Sequence, residues 1–157
     1  MNQRSALLNS AFVGVVGIYM EEIIVAVKGI LIKNNKILIV KRSENAVTGA
    51  GTWETIGGKL TFGETLEHSL QREFKEETGI DALPVKLLYT TTFFTSWTRQ
   101  VVLIAYLCES KSEDVTLSSE HSDYKWATIT ELKHYLPKSI LNDFERFGVF
   151  ALIPKMI

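Results

Sequence analysis

The chain reads as an α/β domain, a mixed β-sheet set among helices, and three features predict it. Two runs rich in Val and Ile flank an Asn-Asn turn near the start, one amphipathic helix occupies the middle, and two further β-rich runs precede a pair of helical segments. Glu22 to Ile32 and Lys36 to Lys41 are predicted to pair as a hairpin, because Lys33-Asn34-Asn35 tolerates the positive φ that a tight turn needs. Ser43 to Thr52, with Asn45, Gly49 and Gly51, is predicted as a mobile loop able to close over a ligand, leading into Trp53. Leu66, Leu70 and Phe74 recur every four residues, which predicts a helix from Leu66 to Thr78. Thr65 suits its N-cap, Glu67 meets the positive end of its dipole, and Gly79 stops it. Val85 to Phe94 and Gln100 to Cys108 follow as strands separated by Thr95 to Arg99, and Tyr124 to Ala127 as a short last strand. Thr130 to Tyr135 and Ser139 to Phe147 read as helices broken apart by Pro137.

A chain of 157 residues, 46% of them hydrophobic, supports one core and leaves no room for an added DNA-binding module. Residues 22–157 are expected to form that domain, with residues 1–21 an N-terminal extension. Ala11 to Met20 is apolar and follows Arg4, which mimics a secretory segment, but no cleavage pattern follows and the run is too short to span a bilayer. The 17 Lys and Arg against 18 Asp and Glu leave a net charge of -1, which excludes capture of a nucleic acid polymer or an acidic membrane by bulk charge. A small soluble partner fits this balance. Cys108 is the only cysteine, so no disulfide framework is expected; it reads as a buried thiol, and a cytoplasmic location is the expectation. Apolar Val149 to Ile157 makes a homodimer plausible.

The most specific segment is Gly58 to Ile80, GKLTFGETLEHSLQREFKEETGI, in which Gly58, Glu64, Arg72, Glu73, Glu76, Glu77 and Gly79 sit at fixed intervals. At about 100° per residue, Glu73, Glu76 and Glu77 fall within an arc of roughly 100° beside the Leu70 and Phe74 stripe. Crowded carboxylates at the edge of a buried face repel one another unless a cation neutralises them, and hard divalent ions, Mg²⁺ or Mn²⁺, suit oxygen ligands. Arg72 lies toward Glu76, where its guanidinium can hold a carboxylate by bidentate bonding. His68 is expected on the exposed side of the helix.

This segment resembles the Nudix box, G-x5-E-x7-R-E-U-x-E-E-x-G-U with U bulky and apolar, at every specified position. Trp53-Glu54-Thr55-Ile56-Gly57-Gly58-Lys59 is similar to the W-x-x-P-G-G-K entry of MutT-like members, with Ile56 in place of proline. Ser119 to Trp126 resembles the E-H-x-x-Y-x-W segment found before the last strand. The resemblance implies an α/β/α sandwich and hydrolysis of a nucleoside diphosphate linked to another group. It further implies a metal site of Glu73, Glu76, Glu77 and the Gly57 carbonyl, with Glu64 a ligand to a second ion or a support for Arg72. Glu76, Glu77 and Glu120 stand as alternative general bases, while His121 lies beside Glu120 in a segment that a solvated loop would explain equally well. For the substrate, Lys59, Arg99 and Lys41 are candidate phosphate contacts, and Phe93, Phe94, Trp97 and Tyr124 candidate base-stacking rings. A MutT-like nucleoside triphosphate pyrophosphohydrolase, an ADP-ribose or nucleotide-sugar pyrophosphatase, and a nucleotide-sensing module without turnover remain open. The intact glutamates count against the sensor.

Overall fold

The Asn-Asn turn takes the predicted form. Asn34 and Asn35 hold φ of 49° and 61°, and they join β1 (Glu22–Lys33) to β2 (Lys36–Arg42) with Lys33 opposite Lys36. The computed structural model describes residues 20–153, so the expectations for residues 1–19 and for the tail beyond 153 lie outside it.

Among the described residues, β1 and β2 are joined in one six-stranded mixed sheet by β3 (Trp53–Glu54), β4 (Leu83–Ser96), β5 (Arg99–Glu109) and β6 (His121–Ala127). β5 runs parallel to β1 over Glu22 to Leu31, the one parallel pair, and β4 closes that side antiparallel to β5. β2 carries β3 and β6, with Val40 opposite both Glu54 and Tyr124. The two-residue β3 was not foreseen, because its ladder to β2 is short and non-local. Ile56 and Lys59 add isolated bridges to Gly29 and Ala26, so the segment after β3 lies along the free edge of β1.

Two cores cover the two faces. Val27, Leu31, Leu38, Val40, Ile56, Tyr106 and Cys108 meet Leu70 and Phe74 of α1 (Leu66–Thr78) on one side. On the other, Ile30, Ile37, Ile39, Tyr89 and Ala105 meet Leu132 of α2 (Ile129–Tyr135), Phe144 of α3 (Lys138–Arg146) and Val149. Residues of alternate parity on β1 and β2 feed opposite cores, as strand geometry requires. The result is the α/β/α sandwich expected. Gly29 sets the depth of α1, since a Cβ there would stand 2.3 Å from the Phe74 ring.

The helix α1 has the predicted ends: the Thr65 hydroxyl accepts from the His68 amide, and Gly79 caps with φ 71°. Thr116 and Ser118 donate amides to the Thr78 and Glu77 carbonyls, which ties the helix end to the approach of β6. Val149 and Ile153 are buried, so the apolar stretch that suggested a dimer serves the chain's own core as far as Ile153. No helix among the described residues is long and apolar enough to cross a membrane.

Candidate active site

Arg72 is the hub of the outer part of the site. Its guanidinium is bidentate on Glu64, with Nε to Oε1 at 2.7 Å and Nη2 to Oε2 at 3.1 Å, and its Nη1 reaches Glu73 at 2.8 Å and Glu76 at 3.1 Å. Planar, forked donors match carboxylates in this way where an ammonium would not. The hydrogen bonds from Arg72 hold the Glu64 carboxyl down at about 2. Glu64 also accepts from the Thr61 amide, so both of its oxygens are engaged in anchoring. Burial raises the Glu73 carboxyl, with Arg72 opposing.

Glu77 is elsewhere. It turns inward, is 4% exposed and accepts a hydrogen bond of 3.2 Å from the Gly57 amide. Burial pushes its carboxyl up to about 7, against the pull of Lys28, His121 and that amide. Of the three glutamates expected on one edge, Arg72 binds Glu73 and Glu76, while Glu77 reaches the interior beside the Gly57 amide. Among the described residues, no three carboxylate, His or Cys groups are drawn into a ready-made metal cluster.

That interior contains residues to which the sequence reading gave no buried role. Glu54 accepts from Lys28 at 2.7 Å on one oxygen and from Arg42 at 3.0 Å on the other, which also lies 3.3 Å from His121 Nε2. Burial alone would raise Glu54, but the charge of Lys28 and hydrogen bonds from His121, Lys28 and Arg42 outweigh it and hold the carboxyl well below the usual range. His121 is buried rather than in a solvated loop, and its Nδ1 has no hydrogen-bond partner among the described residues. One signal was present in the sequence: Lys28 interrupts an otherwise apolar run from Ile23 to Leu31.

The glycine pair is what brings backbone against these carboxylates. Gly57 has φ 136°, and a Cβ there would stand 2.1 Å from the Val27 carbonyl, so only glycine fits. A Cβ on Gly58 would stand 2.6 Å from Glu73 Oε1, so the Glu73 carboxylate lies against bare backbone. The candidate ligands here, the Glu73, Glu76 and Glu77 carboxylates and the Gly57 carbonyl, are all oxygens, a set that fits a hard divalent cation.

The remaining candidates scatter. Glu120 is exposed in the turn before β6, its carbonyl accepting from the Ser43 amide. The Lys59 side chain is exposed, while its carbonyl lies 3.4 Å from Arg72 Nη2. Phe94 and Trp97 are exposed at the β4–β5 hairpin, where Arg99 is paired with Glu22. Tyr124 is half-exposed in the row that runs from Glu54 through Val40. Lys41 pairs with Glu44 at 3.0 Å, and His68 is exposed. The Ser43–Thr52 loop is stitched to Arg42, which donates Nε to the Thr48 carbonyl and its amide to that of Thr52.

A sheet sandwiched by helices, with an arginine-ordered carboxylate helix set against paired glycines, defines a hydrolase site of the kind that handles phosphoric anhydrides. The family model for the NUDIX domain matches residues 23–146, and the chain belongs to that family. It is a hydrolase acting on phosphoric anhydride bonds. Over 126 residues it is 31% identical to an 8-oxo-dGTP diphosphatase of Buchnera aphidicola, spanning 78% of this chain and 93% of that one. It is 32% identical over 109 residues to a MutT-like protein of Streptomyces ambofaciens, covering 69% of this chain and 66% of that protein. A MutT protein from Methanosarcina mazei superposes with a TM-score of 0.75 at 31% identity, covering 82% of this chain and 94% of the other. Members of the family generally need a divalent metal.

Proposed function

We propose that the chain is a Mg²⁺- or Mn²⁺-dependent pyrophosphohydrolase of nucleoside triphosphates. Water adds to one phosphorus, the adjoining anhydride P–O bond breaks, and nucleoside monophosphate and pyrophosphate leave. The observation that carries this reading is the approach of both Glu73 and Glu77 to the paired glycines: Glu77 accepts from the Gly57 amide, and the Glu73 carboxylate lies against the bare backbone of Gly58. Glu73, Glu76, Glu77 and the Gly57 carbonyl would hold the ion. When bound, it supplies Lewis acidity toward the diphosphate and a lowered pKa for water. Glu64 anchors Arg72 in this assignment, since both of its oxygens are already engaged, and Arg72 orients Glu73 and Glu76. Glu76, with 58% of its side chain exposed, and Glu120 are the solvent-facing carboxylates available to accept the proton of the attacking water. Lys59, Arg99, Phe94, Trp97 and Tyr124 are the proposed substrate contacts. The similarity to the 8-oxo-dGTP diphosphatase of Buchnera and to the nucleoside triphosphatase NudI of Escherichia coli supports the triphosphate choice.

The test is a panel of nucleoside triphosphates, ADP-ribose, dinucleotide polyphosphates and NADH, assayed with each metal. Triphosphates should release pyrophosphate fastest. Preferred cleavage of ADP-ribose would move the assignment to the nucleotide-sugar class, and no turnover of any compound would leave a sensor.

A further inference from the structure

Lys28 lies within β1 between Val27 and Gly29, with 17% of its side chain exposed. An ammonium has three N–H donors, and here each meets an acceptor on one short stretch of chain: Glu54 Oε2 at 2.7 Å, the Thr55 carbonyl at 3.0 Å and the Gly57 carbonyl at 3.0 Å. Glu54 is held from its other oxygen by Arg42 and His121, so the ammonium is anchored to a fixed point and not to a swinging side chain. Gly57 is gripped at both ends, its amide by Glu77 and its carbonyl by Lys28. Burying a lysine in a strand costs stability unless it is paired and fully hydrogen-bonded. This one is, and what its bonds define is the direction of the Gly57 carbonyl.

We propose that Lys28 is a positioning residue of the hydrolytic site, whose ammonium, braced on Glu54, sets the orientation in which the Gly57 carbonyl and Glu77 present oxygen to a divalent ion. The inference rests on the ligand assignment above and adds a residue outside the box helix and its glycine loop. A brace and a bare neutralising charge predict opposite signs. If Lys28 only offset negative charge, removing it would make the surface more acidic and divalent ions would bind more tightly. If it orients the carbonyl, its removal weakens binding, as loss of a residue supporting a metal ligand does by about ten- to a hundredfold.

The experiment measures Mn²⁺ affinity by calorimetry and by the free-ion paramagnetic signal, without nucleotide, on wild type, Lys28→Met and the double variant Lys28→Met/Glu54→Gln. Thermal melts run alongside. The double variant removes the Lys28 and Glu54 charges together while the amide oxygen at position 54 still offers Arg42 an acceptor, so it restores charge balance without restoring the brace, and the melts show whether each variant is folded. We expect both variants to bind Mn²⁺ at least about tenfold more weakly, with kcat reduced and the KM for nucleotide within about threefold of wild type. Equal or tighter Mn²⁺ binding by a folded single variant would overturn the proposal, as would recovery of wild-type affinity in the double variant. A wild type that takes up no Mn²⁺ would instead defeat the ligand assignment itself.

Discussion

The outer and inner halves of the site are built on different principles. The outer half, Arg72 with Glu64, Glu73 and Glu76, comes from one helix and the loop just before it, all within eight residues of Arg72, and opens from the 13% exposed Glu73 side chain to the 58% exposed Glu76. The inner half, Lys28, Glu54, His121 and Glu77, draws one residue each from β1, β3, β6 and α1, and it is buried. Exposed ion pairs contribute little to stability and are screened by salt, whereas a buried charge stripped of its partner is costly. Loss of function should therefore dominate when the outer half is damaged, and loss of fold when the inner half is.

The largest effect expected on that contrast is Glu54→Ala, which leaves Lys28 and Arg42 without their carboxylate and should cost about 3–5 kcal/mol in a denaturant titration. Next is Glu76→Gln. It should lower turnover at least about a hundredfold while leaving the melting temperature in place, because a charged ligand becomes a neutral amide at an exposed position. Activity within a few-fold of wild type would remove Glu76 from the site. Arg72→Lys should reduce turnover by about tenfold yet shift stability by less than about 1 kcal/mol, since Lys cannot reproduce the bidentate grip on Glu64.

Acid should separate the halves further. The Glu54 carboxyl is depressed in the fold, so its contribution is complete above the unfolded glutamate value of about 4.3 and is lost as pH falls below it toward the folded value. Wild type should lose more stability than Glu54→Gln between pH 6 and pH 3; parallel slopes would mean that the inner carboxylate is not stabilised by its partners. The smallest effect concerns Cys108, whose thiol burial pushes up to about 12. It should stay unreactive toward a disulfide reagent at pH 8 until the protein is unfolded.

The same contrast explains what could be read from the sequence. α1 was legible to its end residues because its signals, the Leu66, Leu70 and Phe74 stripe, Thr65 and Gly79, lie within the element itself. The Asn34-Asn35 turn was legible for the same reason. Glu54 was not, because its importance arises from Lys28, 26 residues earlier, and His121, 67 residues later, and no local pattern records such a meeting. The helical wheel sets Glu77 beside the apolar stripe, but it does not reveal that Glu77 accepts from the Gly57 amide, 20 residues earlier, while Arg72 binds Glu76. β4 runs from Leu83 to Ser96, beyond the predicted Val85 to Phe94, because the ladder to β5 continues past the residues with strong β preference.

The proposed function turns on whether oxygens of Glu73, Glu76, Glu77 and Gly57 hold the ion that cleavage of a nucleoside triphosphate would require. Anomalous scattering from crystals grown with Mn²⁺ and a non-hydrolysable nucleotide tests it most directly. A peak is expected about 2.0–2.3 Å from the Gly57 carbonyl and at least one of the three carboxylates. Well-diffracting crystals with the nucleotide bound and manganese only elsewhere would contradict it.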